Sequence, residues 1–162
     1  MDPADVLSTI GLGAAPVGEL RAAIPLAMVK FDFPWYQALV WALIGNLIPV
    51  LILPWGLHRI GQRMLGFPQP IRGFLLWRTN KLRQSGGTQF NRYGRLALVP
   101  FVAIPLPFTG AWTGCLAAWA FDIHPRRSIP FLILGVLIAA AIVTTLTQLG
   151  VSLSLFLGRE LD

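Results

Sequence analysis

Long apolar segments separated by short polar ones dominate this chain. Three segments contain no Asp, Glu, Lys or Arg: residues 33–58, 96–121 and 128–158. Each of them exceeds the roughly 20 residues that a helix needs to cross the hydrocarbon core of a bilayer. A fourth apolar segment is interrupted only by Glu19 and Arg21. The pattern predicts an all-α integral membrane protein with a single membrane domain over residues 1–162.

Proline and glycine break two of the apolar segments, at residues 11–18 and at residues 105–110. Residues of this type at such density interrupt a helix. In the first half, helices over residues 5–15 and 19–29 would each span roughly 16 Å, about half the core thickness. Two such half-helices predict a re-entrant hairpin, which enters and leaves the membrane by the same face. The alternative is that the breaks only kink two ordinary spanning helices.

The two halves of the chain also match each other at an offset of 90 residues. The identities pair Leu26, Ala27, Phe31, Asp32 and Gly45 with Leu116, Ala117, Phe121, Asp122 and Gly135. We predict repeat one over residues 5–58 (re-entrant hairpin 5–31, transmembrane helix 34–58) and repeat two over residues 93–158 (re-entrant hairpin 93–121, transmembrane helix 126–157). Each repeat crosses the membrane an odd number of times, so the second must be inverted. Many secondary transporters have this inverted repeat, with their substrate sites at broken helices near the midplane.

Composition and charge fit the same interpretation. The chain is 55% hydrophobic and 12% charged, whereas about a quarter of an average soluble protein is charged. Ten of the thirteen basic residues lie between Arg59 and Arg95 or at positions 126 and 127. By the positive-inside rule, linker 59–92 is then cytoplasmic and the protein a multi-pass protein of the inner membrane. Membrane lipids are the expected partners, and the chain has no motif for nucleic acid.

The remaining candidate features are weak. Residues 71–83 of the linker are predicted to form a helix at the membrane interface. Cys115 is interpreted as a small packing residue, and His58 and His124 as isolated interfacial histidines. No nucleophile elbow, phosphate loop, zinc signature or carboxylate pair occurs in the sequence, so we expect neither an enzyme nor a bound cofactor or metal.

Glu19 and Arg21 carry the clearest functional signal, because ionisable residues at membrane depth are costly and usually mark a pathway or a pair. Burial favours a neutral acid, whereas the start of a helix favours the anion. Glu19 is therefore a candidate carrier of a coupling proton. The alternative is a structural ion pair, for example with Arg95.

Three further residues join this candidate site. Thr109 aligns with Glu19 in the repeat and, followed by Gly110, is predicted to cap a helix that begins at Ala111. The start of such a helix attracts anions, and Arg21 and Arg95 would add positive charge. Asn46 is a polar residue inside a spanning helix, where it would either line a cavity or bond to a neighbouring helix.

Several motifs of the chain resemble the small multidrug export protein family, which is distantly similar to the DedA (SNARE-associated, VTT) group. The motifs are Glu19-Leu-Arg21-Ala-Ala-Ile-Pro25, Gly45-Asn46-Leu-Ile-Pro49 and Ile104-Pro-Leu-Pro107-Phe-Thr109-Gly110-Ala-Trp112. The resemblance to DedA implies paired re-entrant hairpins and proton-coupled movement of lipid-linked phosphates such as undecaprenyl phosphate. It also implies that Glu19 is the acidic residue of the first hairpin and Gly94-Arg95 the start of a Gly-Arg-Phe motif. Leu96 replaces the aromatic residue of that motif, and the expected second arginine is absent.

The sequence therefore predicts a membrane transporter or flippase, coupled to protons, for a small amphipathic anionic substrate resembling a lipid phosphate. One alternative is a proton-coupled exporter of small cationic drugs, and another is a structural or assembly protein without transport. Four membrane elements make a thin wall around a substrate path, which favours a homodimer.

Overall fold

The fold is taken from a computed structural model that describes residues 2–62, 73, 77, 94–104 and 110–159. Within these residues all regular secondary structure is helical, as the apolar segments predict. The predicted interfacial helix 71–83 lies outside the described residues, except for Gly73 and Trp77, which are helical.

The helices follow the breaks and apolar segments of the sequence. They are α1 (Pro3–Ala14), α2 (Glu19–Val29), α3 (Trp35–Gln62), α4 (Leu98–Ala103, which follows a 3₁₀ helix at Gly94–Ala97), α5 (Ala111–Ala120) and α6 (Pro125–Arg159). Glycine and proline separate α1 from α2, so the first apolar segment forms two short helices instead of one spanning helix. The two long helices begin at Trp35 and Pro125, which are 90 residues apart like the matching positions of the repeat.

Two of the described helices, α3 and α6, are long and apolar enough to cross a membrane, over Trp35–Arg59 and Pro125–Ser152. Only 39% of each apolar window is buried, whereas the central helix of a soluble protein would be mostly covered. Large apolar side chains are exposed along both helices: Val40, Ile44, Ile48, Leu51 and Ile52 on α3, and Leu134, Leu137, Ile138, Leu146 and Leu149 on α6. Helices with this much outward apolar surface need lipid around them, and the chain is a membrane protein.

The chain divides into two compact units. Unit 1 contains Met1–Ile48 and Leu137–Asp162, and unit 2 contains Pro49–Val136. Each unit contains one pair of short helices, α1 with α2 in unit 1 and α4 with α5 in unit 2. Helix α3 runs from unit 1 into unit 2, whereas α6 runs from unit 2 into unit 1.

In unit 1, α1 packs against α2 and makes a close contact with α3 through glycine. A Cβ atom at Gly45 would lie 2.2 Å from the carbonyl oxygen of Ile10, and one at Gly13 would lie 2.5 Å from that of Ala42. Small residues are favoured between membrane helices because they allow the backbones to approach closely. Glycine at these two positions therefore sets how α1 lies on α3.

In unit 2, α4 packs against α5, and a glycine again allows the long helix to approach. A Cβ atom at Gly135 of α6 would lie 2.8 Å from Cβ of Val102 and 3.0 Å from the carbonyl oxygen of Val99. Gly135 is the residue that matches Gly45 in the repeat. Both glycines thus lie where a long helix meets the first short helix of its own unit.

Helices α2 and α5 end in the same way. Asp32 and Asp122 follow them with left-handed backbone angles, φ 52° and φ 54°. Aspartate tolerates this conformation better than most residues because its short polar side chain bonds locally. Beyond these aspartates, the N–H of Phe33 donates to the carbonyl of Ala27 (2.9 Å) and that of Ile123 to the carbonyl of Ala118 (2.8 Å). Such bonds satisfy the last carbonyls of each helix and direct the chain into the next long helix.

Candidate functional site

The break between α1 and α2 positions Glu19. Gly18 precedes α2 with φ 100°, and Glu19 itself has φ 47°. Glycine adopts positive φ without cost, whereas a glutamate in this region carries strain of about 1–3 kcal/mol. Such strain persists only where the surroundings impose it and is concentrated at functional sites.

The Glu19 side chain is buried, at 9% exposure. It is the first residue of α2, where the positive end of the helix dipole stabilises a carboxylate. Arg21 is half-buried, and the charge of Glu19 acts on its guanidinium. Unit 1 therefore contains an acid and a base close to each other at a helix break.

Among the described residues of unit 1, three other polar side chains are buried, those of Thr9, Asn46 and Thr144. The Thr9 hydroxyl donates to the carbonyl of Asp5 at 2.8 Å. Within the described part of the chain, Asn46 Oδ1 and Thr144 Oγ1 have no hydrogen-bond partner, although Asn46 is only 1% exposed. A buried oxygen without a partner costs about 1–3 kcal/mol, so a polar partner for either atom would be stabilising. Asn46 was predicted from sequence, but Thr144 was not, because a single threonine in an apolar helix is usually only a packing residue.

In unit 2, α5 begins at Ala111 as predicted, and its N-cap residue is Gly110. Gly110 has φ 146°, a conformation that is essentially confined to glycine. The predicted threonine cap falls on Thr109, which lies outside the described residues. Arg95 is exposed in the 3₁₀ helix before α4.

A second group of side chains in unit 2 was missed by sequence reasoning. The rings of His58 and His124 have centroids 5.1 Å apart, and the His124 ring lies 6.0 Å from that of Trp55. The Arg126 guanidinium lies over Trp55, 6.0 Å from the ring centroid. We call these four residues the interfacial cluster, because they lie at the end of the α3 span and at the start of α6. The prediction that the histidines are isolated is wrong, because pairing between residues so far apart in the chain leaves no local signal.

Comparison with known proteins assigns the family. No curated protein and no solved structure matches the chain. The sequence model of the family described as "Putative small multi-drug export protein" matches residues 19–142, well over half of the chain. The match begins at Glu19 and includes Asn46, Arg95, Gly110 and the interfacial cluster. The chain therefore belongs to the family of small multidrug export proteins, a family of membrane transporters.

Proposed function

We propose that this transporter is a proton-coupled flippase for an amphipathic anionic substrate with a phosphate group, such as a polyprenyl phosphate. We place it in the inner membrane as a multi-pass protein with linker 59–92 on the cytoplasmic side. A homodimer would complete the wall around the substrate path. The observation that carries the proposal is the buried, strained Glu19 at a helix break.

The proposal includes an inverted repeat of two units, each a re-entrant hairpin followed by a transmembrane helix. Several pairs of matching positions support it: the long helices start at Trp35 and Pro125, and left-handed aspartates precede both. Gly45 and Gly135 have the same packing role. The similarity to the DedA group predicts the same architecture.

Glu19 is the proposed proton carrier. A coupling carboxyl must be shielded from bulk water so that its protonation depends on which side of the membrane it faces. The protonated and ionised forms of the carboxyl must also be close in free energy. Here two influences oppose each other, because burial disfavours the anion while the start of α2 stabilises it. A buried acid at a break between helices meets these requirements.

When Glu19 is protonated, unit 1 would favour a substrate with negative charge. Arg21 then supplies positive charge that the Glu19 side chain no longer offsets, and Asn46 supplies a buried amide. Arginine binds phosphate well because its planar guanidinium donates two parallel hydrogen bonds. In unit 2, Arg95, Thr109 and Gly110 are the proposed contacts of the substrate at the start of α5.

The test is transport in proteoliposomes with an imposed pH gradient. A labelled polyprenyl phosphate and a cationic dye are compared for wild type, Glu19→Gln and Asp32→Asn. Asp32 is the matched control because it is also an acid with positive φ, but it is exposed. We expect gradient-driven movement of the phosphate lipid by wild type and Asp32→Asn, and none by Glu19→Gln. Equal transport by Glu19→Gln would contradict the proposed role of Glu19.

The family description names multidrug export, and the second candidate function is therefore a proton-coupled exporter of small drugs, which we take to be cationic. In that case the Glu19 carboxylate would bind the drug directly and exchange it for a proton. Movement of the dye alone in the same experiment would favour this function over the flippase. Full activity of a double variant that exchanges Glu19 and Arg21 would instead indicate that the two charges have a structural role.

A further inference from the structure

We propose that the interfacial cluster binds the phosphate group of a membrane lipid. Its four residues come from two helices and one loop: Trp55 and His58 from α3, His124 from the α5–α6 loop, and Arg126 from α6. All four lie in unit 2. Binding of the lipid requires only the cluster. The proposed function enters at one point, since the same lipid would be loaded here before it is transported.

The side chains provide donors for an anion. The N–H of Arg126 donates to Nδ1 of His124 at 3.3 Å, and His124 thereby caps the start of α6. A ring nitrogen that accepts a hydrogen bond carries no proton, so in the neutral ring the proton is on Nε2. His124 Nε2–H and the Arg126 guanidinium are then the two donors that a phosphate would meet, with His58 beside them.

A divalent metal ion fits the cluster less well than phosphate. Among the described residues, no group of three or more His, Cys, Asp or Glu side chains is arranged to hold a metal. Arg126 also brings a permanent positive charge close to the histidines, as its contact with Trp55 shows. Positive charge repels a metal ion and attracts a phosphate.

The position of the cluster indicates that the phosphate belongs to a lipid, because the cluster lies at the end of the α3 span and at the start of α6. A small cleft beside it is lined by His58 and Asp122 together with apolar residues: Pro54, Cys115, Ala118, Trp119 and Ile123. Asp122 is exposed at its mouth. Tryptophan and arginine are also the residues that favour the headgroup region of a bilayer.

Asp122 places a negative charge at the mouth of the cleft and therefore opposes the ligand. Removal of this charge should strengthen binding of the lipid, so one variant is expected to gain affinity instead of losing it. Asparagine is suitable because it also tolerates the left-handed backbone of Asp122.

The test measures lipid binding to the purified full-length protein in an uncharged detergent. The ligand is a short-chain phosphatidic acid with brominated acyl chains, which quench nearby tryptophans such as Trp55 and Trp119. We expect Arg126→Gln to weaken binding about tenfold, as loss of one charge-assisted hydrogen bond does, and Arg127→Gln to leave it within about twofold. Arg127 is the matched control because it is the next residue of the same helix and is also exposed.

Further variants separate ligand binding from helix capping. His124→Asn keeps a capping side chain but removes the imidazole, so we expect weaker binding with unchanged thermal stability. Asp122→Asn should bind more tightly than wild type. Equal binding by Arg126→Gln and Arg127→Gln would overturn the proposal.

Two competitors identify the source of the phosphate. Phosphatidylcholine of the same chain length should compete much more weakly than phosphatidic acid, since its choline cation offsets the charge of its phosphate, and equal competition would overturn the assignment of the cluster to an anionic headgroup. Inorganic phosphate should compete only at far higher concentration, and competition at equal concentration would overturn the assignment to a lipid.

Glu19→Gln separates this inference from the proposed function, and we expect it to bind the lipid normally while failing to transport it. Normal transport by Glu19→Gln together with weak binding by Arg126→Gln would refute the proton carrier and keep the site. The reverse pattern would refute the site and keep the carrier.

Discussion

Alanine at position 45 tests the close contact between α1 and α3. A Cβ atom at Gly45 would lie 2.2 Å from the carbonyl oxygen of Ile10 and 3.1 Å from the amide nitrogen of Ala14. Both are backbone atoms, so no side-chain rotation relieves the overlap. Helix α1 must therefore move away from α3 by about 1 Å before ordinary van der Waals contact is restored.

The magnitude follows from two opposing effects. Overpacking of a well-packed contact costs about 1–3 kcal/mol, and an overlap with backbone belongs at the upper end of that range. Alanine favours a helix over glycine by about 1 kcal/mol, which offsets part of the cost. We expect Gly45→Ala to lower the free energy of unfolding by about 2 kcal/mol, and each kcal/mol lowers Tm by roughly 2–4 °C in a chain of this length.

The assay is unfolding of the purified protein in mixed micelles with increasing SDS, followed by circular dichroism. Gly56→Ala is the matched control because Gly56 lies on the same helix and a Cβ there would meet no described atom within 4 Å. The control should be as stable as wild type or slightly more stable, since it gains helix propensity without a clash. Equal unfolding curves for the two variants would refute the proposed packing of α1 on α3.

Three further outcomes are expected. Gly135→Ala should also destabilise the protein in the SDS assay, by about 1–2 kcal/mol. Its control, Gly150→Ala, should not, because a Cβ atom there would meet no described atom within 4 Å. Equal effects of the two variants would contradict the matching roles of Gly45 and Gly135. Asn46→Leu keeps the branching at Cγ and removes a buried oxygen without a described partner, so the variant should be at least as stable as wild type. Its transport in proteoliposomes should fall, and unchanged transport would exclude Asn46 from the substrate path. Glu19→Gly should be more stable than Glu19→Ala by about 1 kcal/mol because of the positive φ, and the opposite order would show that position 19 has ordinary helical backbone.

Much of the fold is predictable because it follows from segment length and from breaks. Uncharged segments of more than 20 residues give α3 and α6, since a helix of this length satisfies its backbone hydrogen bonds within one segment while it crosses the bilayer. The start of α2 at Glu19 is predictable from the glycine and proline that precede it. The turn into α5 is less predictable, because its N-cap residue, Gly110, uses backbone freedom that leaves no side-chain signal in the sequence.

The candidate site is only partly predictable, because pairing and burial depend on tertiary packing. Glu19 and Arg21 are visible in sequence as charges in an apolar segment. The sequence does not show that Asn46 Oδ1 is buried without a partner among the described residues, because partners are supplied by neighbouring helices that are distant in the chain. The histidine pair was missed for the same reason: His58 and His124 are brought together only when the end of α3 meets the loop before α6.

The strain at Glu19 is not required to start a helix after a break. Both α2 and α5 follow a glycine N-cap with positive φ, Gly18 and Gly110. Yet Ala111, the first residue of α5, does not have positive φ, whereas Glu19, the first residue of α2, does. Asp32 and Asp122 share the left-handed conformation, but there it ends a helix and both side chains are exposed. The conformation of Glu19 therefore differs from that of the first residue of α5, and its effect is to hold a carboxylate in the buried break.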